Sequence, residues 1–201
     1  MAGETFNALR EIPFSKEEIY DGAILRVERW KVHCANGNDG IREIVLHKGA
    51  AAVVPLYADG TTMLVRQHRV AVDRVTLEIP AGKLDSASED PLVCAKRELR
   101  EETGLTAGRM TFLTRLLTTP GFSSEQISIY LAEDLQEGET HPDPDEILRA
   151  VRIPLDEAVA LVTSGEIRDG KTVCGLLLAK EILRARTKRD PDKPDGKANS
   201  R

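Results

Sequence analysis

Residues 97–105 read Arg97-Glu98-Leu99-Arg100-Glu101-Glu102-Thr103-Gly104-Leu105. They close a segment with every sign of a helix. Leu92, Ala95 and Leu99 recur at spacings of three and four and form an apolar stripe. Asp90 suits the N-cap, Pro91 the first helical position, and Gly104 the place where a terminating glycine belongs. On such a helix Glu98 and Glu102 are four residues apart, so their Cβ atoms lie about 5–6 Å apart on one face. Glu101 sits beside them, four residues from Arg97. Like charges at this spacing destabilise a helix, more so near its negative C-terminal end, so something positive must offset them. Clustered short carboxylates are hard oxygen ligands suited to Mg²⁺ or Mn²⁺. Arg97 can steer Glu101 through a charge-assisted pair and leave Glu98 and Glu102 for metal. A bare run of this kind is more often a solvated face, so the surroundings must decide.

Upstream of this helix the pattern is that of strands. Ile24 to His33 and Ile41 to His47 are rich in β-branched and aromatic residues and flank the turn cluster Asn36-Gly37-Asn38-Asp39-Gly40, which predicts a β-hairpin. Ala51 to Tyr57, then Asp59-Gly60, then Thr62 to Gln67 predict a second hairpin. Val75 to Ile79 reads as a short strand, and Pro80-Ala81-Gly82 as a loop. Downstream, Thr111 to Thr119 and Gln126 to Ala132 read as strands joined by the turn Pro120-Gly121. Asp134 to Asp145 is an acidic, proline-containing loop. Val151 to Ile153 reads as a strand, and Leu155 to Ser164 and Lys171 to Ala185 as helices. Residues 1–16 lack periodicity and read as an arm or linker; Lys188 to Arg201 has almost nothing apolar and is expected to be a disordered tail.

The wider pattern around the glutamates has a clear likeness. Gly82, then Glu89, then Arg97-Glu98-Leu99-x-Glu101-Glu102-x-Gly104-Leu105 closely resembles the box of the Nudix hydrolases. The family usually has five residues between the glycine and the first glutamate, and here there are six. Either the loop carries one extra residue, with Glu89 in place, or Ser88 replaces that glutamate; the seven residues between Glu89 and Arg97 favour the first. Leu77-Glu78-Ile79-Pro80-Ala81-Gly82-Lys83 looks like the lead-in of the ADP-ribose pyrophosphatases of this superfamily. Pro120, 16 residues after Gly104, falls on that subfamily's marker, and Thr119 to Glu125 resembles the loop that follows. Ile153 to Ala158 and Gly165 to Thr172 also look like this group.

The resemblance implies an α/β fold: a Nudix-type α/β/α sandwich with a mixed sheet over residues 48–187. It adds an N-terminal β-hairpin arm over residues 1–47 that pairs two subunits into a homodimer. It implies Mg²⁺-dependent (or Mn²⁺-dependent) hydrolysis of ADP-ribose to AMP and ribose 5-phosphate. The alternatives are another nucleoside diphosphate sugar such as GDP-mannose, or a catalytically silent nucleotide-binding module. Glu98, Glu101, Glu102 and the main chain of Ala81 are implied as metal ligands, with Arg97 and Glu101 in catalytic roles. The base that orients water is expected among Asp143, Asp145 and Glu146, with Glu146 nearest the following strand. Arg69, Glu78, Arg42 and Glu125 are candidate substrate contacts. Similar enzymes often carry an aromatic just after the glycine of the first strand, whereas Gly22 here is followed by Ala23 and Ile24.

Composition bounds the rest. The chain has 201 residues, 41% hydrophobic and 30% charged, which is ordinary for a globular protein. Its 33 acids against 28 bases give a net charge of −5, which argues against a nucleic-acid partner. No apolar stretch is long enough for a membrane span, and the first 20 residues show no signal-peptide pattern. Three widely spaced cysteines, without a CxxC pair, fit free thiols in a reducing cytoplasm.

Overall fold

Residues 50–55 set the architecture. Ala50, Ala52 and Val54 pack into one buried apolar cluster, and Ala51 and Val53 into another. A strand turns successive side chains to opposite faces, so one strand buried on both sides serves two cores at once. A computed structural model of the chain describes residues 8–140 and 147–189. Among these residues two units separate: one holds the chain up to Gly49 together with Leu117–Gln126, the other Ala50–Leu116 and the chain from Ile127 onward.

The first unit carries a three-stranded antiparallel sheet in the order β1 (Ile12–Asp21), β2 (Arg26–His33), β3 (Asp39–Leu46). The predicted hairpin is there: β2 and β3 pair from Arg26–Leu46 to His33–Asp39. Its turn has Gly37 at φ +86°, and the Asn36 side chain accepts from the Asn38 N–H at 3.1 Å. The arm is a strand larger than expected, because β1 begins in residues 1–16, the segment read as an arm or linker. Every residue of β1 is exposed. Without a buried face there is no alternation to betray a strand.

The second unit has a four-stranded mixed sheet and a three-stranded sheet. The first has the order β7 (Ala81–Lys83), β4 (Ala50–Pro55), β9 (Gln126–Gln136), β8 (Thr106–Leu117). β4 runs parallel to β9 and antiparallel to β7. The second sheet has the order β10 (Leu148–Pro154), β5 (Thr61–Arg69), β6 (Arg74–Glu78), all antiparallel. The predicted second hairpin is therefore not formed as a ladder: β4 and β5 belong to different sheets, joined at the turn by the isolated bridge Leu56–Thr62 and the Tyr57 N–H to Thr61 carbonyl bond. The Leu56 N–H is taken by the Ala132 carbonyl at 2.8 Å, so the chain stays with β9 before it turns. Ala81 and Gly82, read with Pro80 as a loop, are the first two residues of strand β7. Pro80 needs no N–H partner and its carbonyl accepts from Val53 at 2.9 Å, so the proline sits at the strand's start, where it is tolerated.

Three helices complete the unit: α1 (Pro91–Thr103), α2 (Leu155–Thr163) and α3 (Gly170–Arg189). On one side of β4, α1 contributes Cys94, Ala95 and Leu99 to the cluster around Ala51 and Val53. On the other side Leu155 and Ala158 of α2 and Leu176 and Ala179 of α3 meet Ala52, Val54, Ile129 and Leu131. This is the α/β/α sandwich that the sequence predicts. Leu99, 1% exposed, contributes about 1.5–3 kcal/mol by its burial. The ends of α1 match expectation: Asp90 accepts from the Leu92 N–H at 2.9 Å, and Gly104 stops the helix at φ +71°. α3 runs on through Lys188 and Arg189, beyond its predicted end and into the segment read as tail. Among the described residues no helix is long and apolar enough to cross a membrane.

Candidate active site

The docked face of α1 carries its carboxylates onto backbone. Glu98 and Glu102 are 8% and 7% exposed, although both are acids. The Ala81 N–H donates to Glu102 Oε2 at 3.2 Å. The Glu98 carboxylate lies over Gly82, where any Cβ would overlap it. Glycine is thus required here for close approach. Gly82→Ala is expected to displace Glu98 and lower turnover by at least about tenfold, read as kcat with the melting temperature as a check on folding.

Arg97 ties the group together. Its Nη1 donates to Glu98 Oε1 at 2.6 Å and to Glu101 Oε2 at 3.3 Å, and its Nη2 to the Lys83 carbonyl at 3.2 Å. The sequence assigns Arg97 to Glu101; in the structure its tighter partner is Glu98, because the Lys83 carbonyl anchors the guanidinium on the side where Glu98 meets Gly82. Burial alone would lower the Arg97 pKa, but Glu98 and the neighbouring acids raise it, so the cation is permanent. Asp85 and Glu89 complete the ring of acids at 3.7 and 3.8 Å. The choice between Glu89 and Ser88 falls to Glu89: it faces Arg97 and accepts from the Asp85 N–H at 2.6 Å, whereas Ser88 turns to Ser86. Burial pushes the Cys94 thiol up to about 12, so beneath this site it is a neutral core group.

Among the described residues no group of three or more His, Cys, Asp and Glu side chains is gathered so as to hold a metal ion by side chains alone. The donor set is instead carboxylate oxygen against bare backbone, with Glu101 on the same turn. Hard oxygen donors from one helix face and one main-chain segment fit a small divalent cation that keeps water ligands.

A second polar cluster lies where β6 ends. Glu78 is 2% exposed and receives two bonds from Arg69, at 2.8 and 2.7 Å, one from Thr76 at 2.5 Å and one from Lys171. Burial alone would raise its pKa, but Arg69 and the Lys171 charge outweigh that and hold it at about 2. Both oxygens take hydrogen bonds from protein groups. Arg69, 42% exposed along its side chain, is clamped to Glu78. Sequence reading gives Lys171 no role. A clue was available, since a lysine in the first turn of a helix opposes the helix dipole and calls for an acidic partner. That partner is Glu78, with Asp169 at 3.0 Å.

Two of the other candidates belong to the first unit. In the first unit Arg42 is paired with Glu11, through Nε at 2.9 Å, and Glu125 lies 3.6 Å from His47 Nδ1. The Tyr20 ring lies against Gly22. Asp143, Asp145 and Glu146 fall outside the described residues.

The profile of the NUDIX domain matches residues 46–176, which hold the box helix, both sheets of the second unit and the start of α3. The chain belongs to the Nudix family. An ADP-ribose pyrophosphatase of Bacillus subtilis is 39% identical over 182 residues, 89% of this chain and 98% of that protein. A methanol dehydrogenase activator of Bacillus methanolicus is 38% identical over 159 residues, 78% of this chain and 85% of that one. A crystal structure of an ADP compounds hydrolase superposes with a TM-score of 0.77 at 26% identity, covering 88% of this chain and 96% of that one. These agree with the Nudix fold derived above, and this Nudix chain is a pyrophosphohydrolase by family.

Proposed function

We propose that this Nudix protein hydrolyses the pyrophosphate bond of ADP-ribose with Mg²⁺, giving AMP and ribose 5-phosphate. The observation that carries the reading is the seating of Glu98 and Glu102 on the Ala81-Gly82 backbone, with Glu101 and Arg97 on the same helix. The full-length likeness to an ADP-ribose pyrophosphatase supports the choice of substrate. Glu98, Glu101, Glu102 and the Ala81 carbonyl would hold the cation, which supplies charge neutralisation of the diphosphate and activation of water. Arg97 holds Glu98 and Glu101 by charge-assisted bonds, and the Ala81 N–H holds Glu102. Glu146 is the base that takes the proton of the attacking water; the water oxygen bonds to phosphorus as the bridging oxygen leaves. The exposed apolar residues of the arm (Ile12, Phe14, Ile19, Ile41) support a homodimer, and the free thiols a reducing cytoplasm.

The test is phosphate release in a coupled phosphatase assay over ADP-ribose, GDP-mannose, ADP-glucose, diadenosine polyphosphates and NADH, with Mg²⁺ present. ADP-ribose turned over fastest is the expected outcome. A preference for GDP-mannose keeps the chemistry and moves the specificity. No turnover, with ADP-ribose still raising the melting temperature, would make this a nucleotide-binding module. Within the same assay Glu146→Gln is expected to lower kcat about 10²–10⁴-fold, the usual range for a lost general base. If Asp145→Asn did so instead, the base is Asp145.

A further inference from the structure

The chain between Glu78 and Ala81 leaves one sheet and enters another. Glu78 ends β6, Ala81 opens β7, and the two residues between them belong to neither. Each polar backbone group named along this crossing has its own fixed partner. The Pro80 carbonyl accepts from Val53, and the Ala81 N–H goes to Glu102. The Ile79 N–H, wholly buried, donates to Thr172 Oγ1 at 2.9 Å, 93 residues away in the chain.

Because Thr172 Oγ1 must accept that N–H, its own proton goes the other way, to Asp169 Oδ2 at 2.5 Å. The same Asp169 oxygen accepts the Thr172 N–H at 3.0 Å and lies 3.0 Å from Lys171 Nζ. Lys171 in turn holds Glu78, the residue before Ile79. The first turn of α3 therefore grips two successive residues of the crossing, one through a side chain and one through the backbone. Thr172 is 0% exposed, and its hydroxyl has no rotational freedom left.

We propose that Thr172, oriented by Asp169 and assisted by Lys171, is a positioning residue that fixes the main chain of Ala81 for the metal. The inference rests on the reading above that the Ala81 carbonyl joins the glutamates at the cation. Freed of the Thr172 bond, the Glu78–Ile79 peptide can tilt, and the shift passes along the short crossing to the Ala81 carbonyl. Metal affinity is then lost without any change in the carboxylates themselves.

The test compares wild type with Thr172→Val, which keeps the shape and removes the hydroxyl, and Thr172→Ser, which keeps the hydroxyl. Mn²⁺ binding is titrated by the paramagnetic resonance of free Mn²⁺, alongside kcat and KM for ADP-ribose. Thr172→Val is expected to weaken Mn²⁺ binding about tenfold and lower kcat with little change in KM, as for other groups that orient ligands from behind. Thr172→Ser is expected to restore both. If Thr172→Val does not fold, Asp169→Ala, which releases the hydroxyl to rotate, is expected to weaken Mn²⁺ binding in the same direction. A folded Thr172→Val with wild-type Mn²⁺ affinity overturns the proposal, as does a wild type that binds no Mn²⁺. A wild type that ignores ADP-ribose, while Thr172→Val still weakens Mn²⁺ binding, overturns the substrate and leaves the positioning role standing.

Discussion

Glu102→Gln is expected to lower kcat on ADP-ribose by roughly 10²–10³-fold, the scale for removing one preorganised electrostatic group. The fold should survive. The glutamine amide keeps an oxygen that can accept the Ala81 N–H, and the apolar face of α1, with Cys94, Ala95 and Leu99, is untouched. What is lost is one of the hard carboxylate donors that would hold the cation, on a group only 7% exposed. The measurement is kcat at saturating Mg²⁺ with a melting curve beside it. A variant that melts like wild type and turns over at the wild-type rate would remove Glu102 from the chemistry.

The second large effect concerns stability. Glu78→Gln is expected to destabilise the protein at pH 7 by about 3 kcal/mol, the range for breaking one side of a buried ion pair. The loss leaves the Lys171 ammonium, whose side chain is 10% exposed, with Asp169 as its remaining acid. The pH dependence follows from the direction of the shift. A carboxyl held at about 2 when folded, against 4.5 ordinarily, stabilises the folded state fully above about 4.5. That contribution is lost as pH falls from there through about 2. Urea unfolding of wild type and variant should thus differ most at neutral pH and converge in acid. Equal urea midpoints at pH 7 would mean that the cluster contributes nothing net.

The strongest signals in the sequence were local ones. Asp90, Pro91 and Gly104 each act within a few residues of their own position, so the bounds of α1 and the grouping of its glutamates are legible from the chain alone. The misreadings share a different cause. β1 has no buried face, and nothing in its own sequence can reveal that it pairs with β2. The turn after β4 looks like a hairpin turn because Asp59-Gly60 is one locally; only the Ala132 carbonyl on Leu56 shows that the strands on either side part company. Lys171 and Thr172 act on Glu78 and Ile79 from 93 residues away, beyond the reach of any periodicity.

The two-faced burial of β4 has a consequence for how the molecule tolerates change. Ala51 and Val53 share no cluster with Ala52 and Val54, so the strand behaves as a party wall between two rooms. Repacking beside Leu176 or Ala179 and repacking beside Leu99 should combine with near additivity, since the altered side chains belong to different clusters. The far room can then be refurbished for heat tolerance without entering the one that holds the glutamates, provided the passage at Ile79, where Thr172 reaches through, is left as built.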